Sequence, residues 1–330
     1  MNSRNILFVG FLLVSITFTL ASVQEVYAQL GTVLAGPFVP QAPALTGNGR
    51  GMAFDGTDLY YTIVVDSNIY KIDTSGNHIA TIGIPGGDPR VSQGGPLAWD
   101  GSQLWTIDYQ PVQANLVLYR VNPATGATTF SCNIATANPN HPALPGLIFP
   151  DGLHWTGSQL VLSGEINLPT VIAFINPNTC AITSSFNEAS GNTGRWSGVA
   201  FDGQNLWHAK AGPQGGLLAL EQTDVSGTLT VLSFLTSPLQ IEDLEYDSVT
   251  FAPLCAVWGN QAVPPLSSNQ ITAWEVGCGN AIVGGEILSI DSTALLIAAA
   301  QTNAFVVLTA FVIIGAAAFG AIYYSTKKKN

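Results

Sequence analysis

Apolar residues come in short runs along this chain, cut by polar turns of Asp, Asn, Gly and Ser, and one such phrase recurs. Its clearest copy is Ser197–Asp224, SGVAFDGQNLWHAKAGPQGGLLALEQTD. An apolar run reaches Phe201, an Asp202-Gly203 turn follows, then Leu206-Trp207, a Gly-rich loop and a second apolar run. The phrase reappears as MAFDGTDLYY from Met52, LAWDGSQLWT from Leu97 and LHWTGSQLVL from Leu153, and more loosely as LEYDSVTFAP from Leu244. The turn position falls at Asp55, Asp100, Thr156, Asp202 and Asp247, so the spacings are 45, 56, 46 and 45. Strand-length runs with turn signals at a period near 45 mark a propeller or a similar β array.

In the first repeat the pattern predicts strands at Gly51–Phe54, Leu59–Val65, Asn68–Ile72 and Ile79–Ile84. Four short antiparallel strands make one propeller blade. A second turn family keeps step with the first: DTSGN at Asp73, NPATGA at Asn122, NPNTCA at Asn176 and TDVSGT at Thr223. Asn or Asp opens each turn and a left-handed residue closes it. Cys180 takes the closing Gly slot in the third repeat, a mildly unfavourable place for a residue with a Cβ, and a disulfide would compensate. The last repeat, Ile241–Gly277, yields three strands, Ile241–Tyr246, Phe251–Trp258 and Gln270–Val276. An orphan strand at Gly31–Val39 can supply the fourth and close the ring, removing exposed sheet edges. The expected fold is therefore all-β, a five-bladed propeller, or six-bladed if the long second repeat holds additional strands. The aromatic before each first turn, Phe54, Trp99, Trp155, Phe201 or Tyr246, is expected to pack blade on blade.

The two ends add segments of another kind. Arg4, the apolar run Ile6–Leu20 and Val26-Tyr27-Ala28 have the layout of a secretory signal over 1–28. Residues 29–277 form the expected ectodomain and 278–303 a linker. Ala304–Tyr324 is 21 residues without a charge, about 31 Å of helix, which matches a bilayer core. The basic tail, 325–330, holds Lys327–Lys329 and places the C-terminus in the cytoplasm by the positive-inside rule. The expectation is a single-pass type I membrane protein with its body outside the cell.

Charge sharpens that picture. Setting aside Glu25, Arg4 and the tail lysines leaves 20 acidic and six basic residues, a net of about −14. A body so acidic lacks the basic stripe that a nucleic-acid binder needs. The four cysteines, Cys132, Cys180, Cys255 and Cys278, all lie in the ectodomain without a C-x-x-C pair. Outside the cytosol an even count reads as disulfides. Cys255–Cys278 closes a short loop in the last repeat and leaves Cys132–Cys180. Four free buried thiols are the alternative.

FDGQNLW, FDGTDLY and WDGSQLW, followed by LYRVNPATGA, resemble the YVTN, NHL and streptogramin-lyase-like β-propellers over Gly51–Val276. The resemblance implies the fold more than an activity, since propellers serve as scaffolds, binders, lyases and hydrolases. The segment from Gly284-Gly285-Glu286 through Asp291 into the apolar run and lysines resembles the C-terminal anchor of surface proteins in ammonia-oxidising archaea. That likeness implies attachment to the cell envelope.

Catalytic signatures are missing: there is no G-x-S-x-G, H-E-x-x-H, Walker-type loop or post-strand G-x-G-x-x-G. The working surface of a propeller is expected at one mouth of its central channel, where each innermost strand begins. That register gathers Arg50, Asp151, Arg195, Glu242 and Asp243 as ligand-binding candidates. Asp151, Glu242 and Asp243 could hold Ca²⁺, which takes six to eight oxygens, or the arginines could pair with them as a network or carboxylate-recognition site. His208, near Lys210, is the best-placed histidine for a lyase-type mechanism, without a motif behind it. The sequence thus leans away from an enzyme and toward a binding or cell-surface interaction module with a protein or small-molecule ligand. A channel-mouth lyase or hydrolase and a structural envelope component are the alternatives.

Overall fold

The computed structural model describes residues 29–40, 49–63, 67–83, 94–107, 116–147, 149–164, 170–188, 195–211, 218–236, 240–263 and 268–278. The segments expected as a signal (1–28), as a linker (from residue 279 on), as a membrane span (304–324) and as a basic tail (325–330) lie outside the described residues. Among the described residues no helix is long and apolar enough to cross a membrane.

The described strands form five four-stranded antiparallel sheets, the blades of a propeller. Strand β1 is Val33–Phe38. Blade 1 holds β2 (Gly49–Phe54), β3 (Leu59–Ile63), β4 (Ile69–Ile72) and β5 (His78–Ile82). Blade 2 holds β6 (Leu97–Trp99), β7 (Leu104–Ile107), β8 (Val117–Val121) and β9 (Thr128–Asn133), followed by the short helix α1 (Ile134–Ala137). Blade 3 holds β10 (Pro150–Trp155), β11 (Leu160–Gly164), β12 (Val171–Ile175) and β13 (Ile182–Asn187). Blade 4 holds β14 (Arg195–Phe201), β15 (Leu206–Ala211), β16 (Ala219–Thr223) and β17 (Leu229–Leu235). Blade 5 holds β18 (Gln240–Asp247), β19 (Ala256–Val263) and β20 (Ser268–Glu275). The orphan strand does complete blade 5: β1 pairs with β20 through Val33–Trp274, Ala35–Ala273 and Phe38–Ile271. The ring closes between blades 5 and 1, where β18 packs beside β2.

Two differences from the sequence reading have local causes. The extra length of the second repeat is not a sixth blade. Among the described residues it holds α1, capped by Asn133 Oδ1 accepting from the Thr136 N–H at 3.0 Å, and a 3₁₀ turn at Leu144–Leu147. In blade 5 the strand expected from Phe251 begins at Ala256. Pro253 has no N–H to give a ladder, and Leu254 N–H bonds back to Phe251 O in a turn.

The repeated phrase has a physical reason. In blade 1, Asp55 Oδ1 accepts the N–H groups of Thr57 and Asp58, and Oδ2 accepts Tyr60 Oη–H at 2.9 Å. Asp100, Asp202 and Asp247 repeat this with Trp105, Trp207 and Trp258, whose indole N–H groups donate at 2.8, 3.2 and 2.9 Å. One carboxylate thus caps the turn and satisfies the polar tip of the buried aromatic. In blade 3, Val161 has no polar tip, and Thr156, with one side-chain oxygen, caps that turn instead. Ala53, Ala98 and Ala200 lie cross-strand from Tyr60, Trp105 and Trp207, so a small residue sits beside each large ring.

The second turn family is capped as its sequence predicts, with Asp73, Asn122, Asn176 and Asp224 each accepting two backbone N–H groups. Gly76, Gly126 and Gly227 close three of these turns at positive φ, and Cys180 closes the other at φ 57°. Both expected disulfides form, Cys132–Cys180 and Cys255–Cys278. The first ties blade 2 to blade 3.

Candidate functional site

The five innermost strands, β2, β6, β10, β14 and β18, converge on the axis. Counting back from each first turn gives equivalent levels around it. Five positions before the turn stand Arg50, Gly95, Asp151, Ser197 and Glu242. Four before it stand Gly51, Pro96, Gly152, Gly198 and Asp243. Two before it stand Ala53, Ala98, His154, Ala200 and Glu245. Three blades carry an ionisable side chain at the first of these levels, one at the second and two at the third, and the others carry small or uncharged residues.

At the first level three of the five sequence-predicted residues, Arg50, Asp151 and Glu242, meet as an ion-pair network. Arg50 Nη1 donates to Asp151 Oδ1 and to Glu242 Oε2, each at 2.5 Å. The Arg50 side chain is 10% exposed, against 0% for Asp151 and 2% for Glu242. One guanidinium therefore bridges blades 1, 3 and 5 and forms the outer face of the plug. The Arg195 side chain lies outside the described residues.

At the second level Asp243, fully buried, is held by backbone. Its Oδ2 accepts from the N–H of Met52 at 3.0 Å and of Leu97 at 3.2 Å. Its Oδ1 accepts from the N–H of Leu153 at 3.3 Å and of Leu244 at 2.9 Å. Full burial pushes this carboxyl well above the ordinary carboxylate range, against the pull of the Met52, Leu97 and Leu244 amides. Yet the four hydrogen bonds to its oxygens are all donated by N–H groups, the arrangement that suits the ionised form. A Cβ on Gly198 would come within 2.8 Å of the Asp243 backbone, and one on Gly152 within 2.5 Å of Val199 N. The strands here touch backbone to backbone, and the axis is closed.

The third level was not foreseen as a site. His154 Nδ1 and Glu245 Oε2 lie 3.1 Å apart, joining blades 3 and 5. Burial first, then Asp247, push the Glu245 carboxyl up, and His154 opposes them. The available signal was positional: two ionisable residues stand where three repeats carry Ala.

His208, the lyase candidate, lies inside the interface of blades 3 and 4 with no exposed surface. Its ring stacks on Trp196 at 4.1 Å and 10°, and Nε2 is 2.9 Å from Thr223 Oγ1. Burial pushes the imidazole down to about 3, so it is neutral at physiological pH. Beside it, Trp196 Nε1 and Lys210 Nζ donate to the two oxygens of Glu221 at 3.2 and 2.9 Å.

Glu188, after β13, is 4% exposed, and its Oε1 has no hydrogen-bond partner. Burial, then the Glu221 charge, push its carboxyl up to about 7, against Lys210 and Thr170. Sequence reasoning missed it because it follows the fourth strand, where no repeat register exists. A folded-state value above the ordinary 4.5 means the native protein holds this proton more tightly than the unfolded chain. The stability it contributes is full below about 4.5 and is lost as pH rises toward 7. Glu188→Gln should therefore unfold at a higher temperature than the parent at pH 8, with the gap shrinking by pH 5. An equal gap at both values would count against this.

Among the described residues no three His, Cys, Asp or Glu side chains gather in an arrangement that could hold a metal ion. Asp151 and Glu242 face Arg50, and Asp243 faces N–H donors.

No family model and no curated protein matches the chain. Solved structures similar to it include Myxococcus xanthus glutaminyl cyclase, at 11% identity over 72% of this chain and 94% of that one, with a TM-score of 0.47. Regucalcin from Agrobacterium tumefaciens, a calcium-binding protein, is similar at 13% identity over 75% and 94%, with a TM-score of 0.45. The aldose sugar dehydrogenase of Streptomyces coelicolor is similar at 13% over 74% and 97%, with a TM-score of 0.41.

Proposed function

We propose that this chain is an exported, membrane-tethered binding module: a rigid five-bladed disc outside the cell that takes its partner on its blade surfaces. The supporting observation is the plugged axis. Arg50, Asp151 and Glu242 engage one another, Asp243 is spent on four backbone amides, and His154 engages Glu245. Channel-mouth acid–base chemistry would need such groups turned toward a substrate, and His208 has no exposed surface. The signal-like start, the uncharged 21-residue stretch and the three lysines after it support export and tethering, and the resemblance to archaeal surface-protein anchors agrees with an envelope location.

The test is cross-linking on intact cells with full-length protein carrying a tag after Asn330. Discrete adducts through blade-surface residues, with the ectodomain open to added protease, support the reading. Protein that fractionates with the cytosol, or substrate turnover abolished by Arg50→Ala, sinks it.

The same geometry speaks to Ca²⁺. The Arg50 guanidinium stands between Asp151 and Glu242, where a cation would go. A resident Ca²⁺ at 100-fold saturation would raise Tm by roughly 5–10 °C. Added Ca²⁺ and EDTA should each leave Tm unchanged, and a shift abolished by Asp151→Ala would restore the metal reading.

A further inference from the structure

The geometry points to an anion seat at the centre of the disc, built from backbone amides and filled by the chain's own Asp243 carboxylate. The donors are one register position seen repeatedly: Met52, Leu97, Leu153 and Leu244 each stand three before their turn. Their N–H groups, from blades 1, 2, 3 and 5, reach the two carboxylate oxygens at 2.9–3.3 Å. Repetition of one backbone conformation around an axis aims equivalent dipoles inward, as a nest does around an anion. Every hydrogen bond that the surrounding backbone makes to the two oxygens is a donated one, so the seat selects an anion, and two oxygens with two donors each select a small planar carboxylate.

The slot one residue earlier explains how the seat comes to be filled. Gly51, Pro96, Gly152 and Gly198 put no polar side chain there, and Asp243 alone carries a carboxylate. One residue in the fifth blade thereby pins three other blades. Asp243 is accordingly an intramolecular ligand that closes the ring, and a free carboxylate of the same size can replace it.

Chemical rescue of Asp243→Gly in the full chain tests this. Glycine is what three other blades carry at this slot, so the backbone accepts it. Tm should fall by about 10 °C in chloride. Sodium formate at matched ionic strength should recover most of the loss with a saturable dose response, and leave the parent protein unmoved. Acetate should recover less, because its methyl group meets the surrounding glycines. Loss without formate-specific recovery, or equal formate effects on both proteins, overturns the proposal. If the variant does not fold in chloride, refolding yield in formate against chloride gives the same readout, with no difference overturning it. Asp243→Asn supplies an independent check. Its Nδ2 would face N–H groups, so it should be less stable than the parent and gain nothing from formate. An Asn variant as stable as the parent overturns the seat.

Discussion

Replacing Arg50 with Ala should lower the stability of the propeller by roughly 3–5 kcal/mol, the range for stranding a buried charge. Two carboxylates lose the Arg50 charge at once, since Asp151 and Glu242 share Nη1 of that guanidinium and are almost wholly buried. Burial then opposes ionisation of both, so the variant should recover part of its stability as pH falls and the acids take up protons. Much of the loss is the penalty on the acids left behind, which is separable. Arg50→Met combined with Asp151→Asn and Glu242→Gln removes all three charges, and it should be more stable than Arg50→Ala by urea midpoint. Arg50→Lys should fall between, because an ammonium keeps the charge without the planar fork that spans two partners. A triple variant no better than Arg50→Ala would show that packing, not charge, carries the effect.

How far this site could be read from the sequence depends on repeat register. Where a repeat fixes the level of a residue, the sequence brings the right partners together: Arg50, Asp151 and Glu242 share a level and do meet. The repeated turns likewise pointed to five blades, with six left open by the long second repeat, because turn caps and positive-φ residues are local requirements. The orphan strand before the first repeat pointed to ring closure. What register cannot supply is the direction in which a side chain is satisfied. Asp243 looked like a cation ligand because its carboxylate is visible in the sequence, whereas the backbone amides around it have no letter. His154 and Glu245 meet across non-adjacent blades, a contact set by the radius of the ring. Glu188 lies beyond the last strand of its blade, where no neighbour shares its register.

Opening the Cys132–Cys180 bridge as the double Ser variant should cost roughly 4 kcal/mol, and opening Cys255–Cys278 about 3, by loop-closure entropy. The closed spans differ, 48 residues against 23, and the longer loop restrains the unfolded chain more. Position adds to this ordering. Cys132 ends blade 2 and Cys180 lies in a blade 3 turn, so the bridge crosses an interface that Asn138 also stitches. Asn138 Nδ2 donates to Cys180 O at 2.7 Å, and its Oδ1 accepts Ile182 N–H at 2.8 Å. With that second link intact, the bridge should act mainly on the unfolded state, lowering the urea midpoint while leaving the native near-ultraviolet signal in place. The residue chosen at 180 then matters. Its φ of 57° favours Gly, as Gly76, Gly126 and Gly227 have at the matching turns, and relief of the left-handed penalty is worth about 1 kcal/mol. Cys132→Ala with Cys180→Gly should therefore lose less than the double Ser variant. Equal losses would mean that the left-handed turn at 180 carries no penalty that glycine relieves.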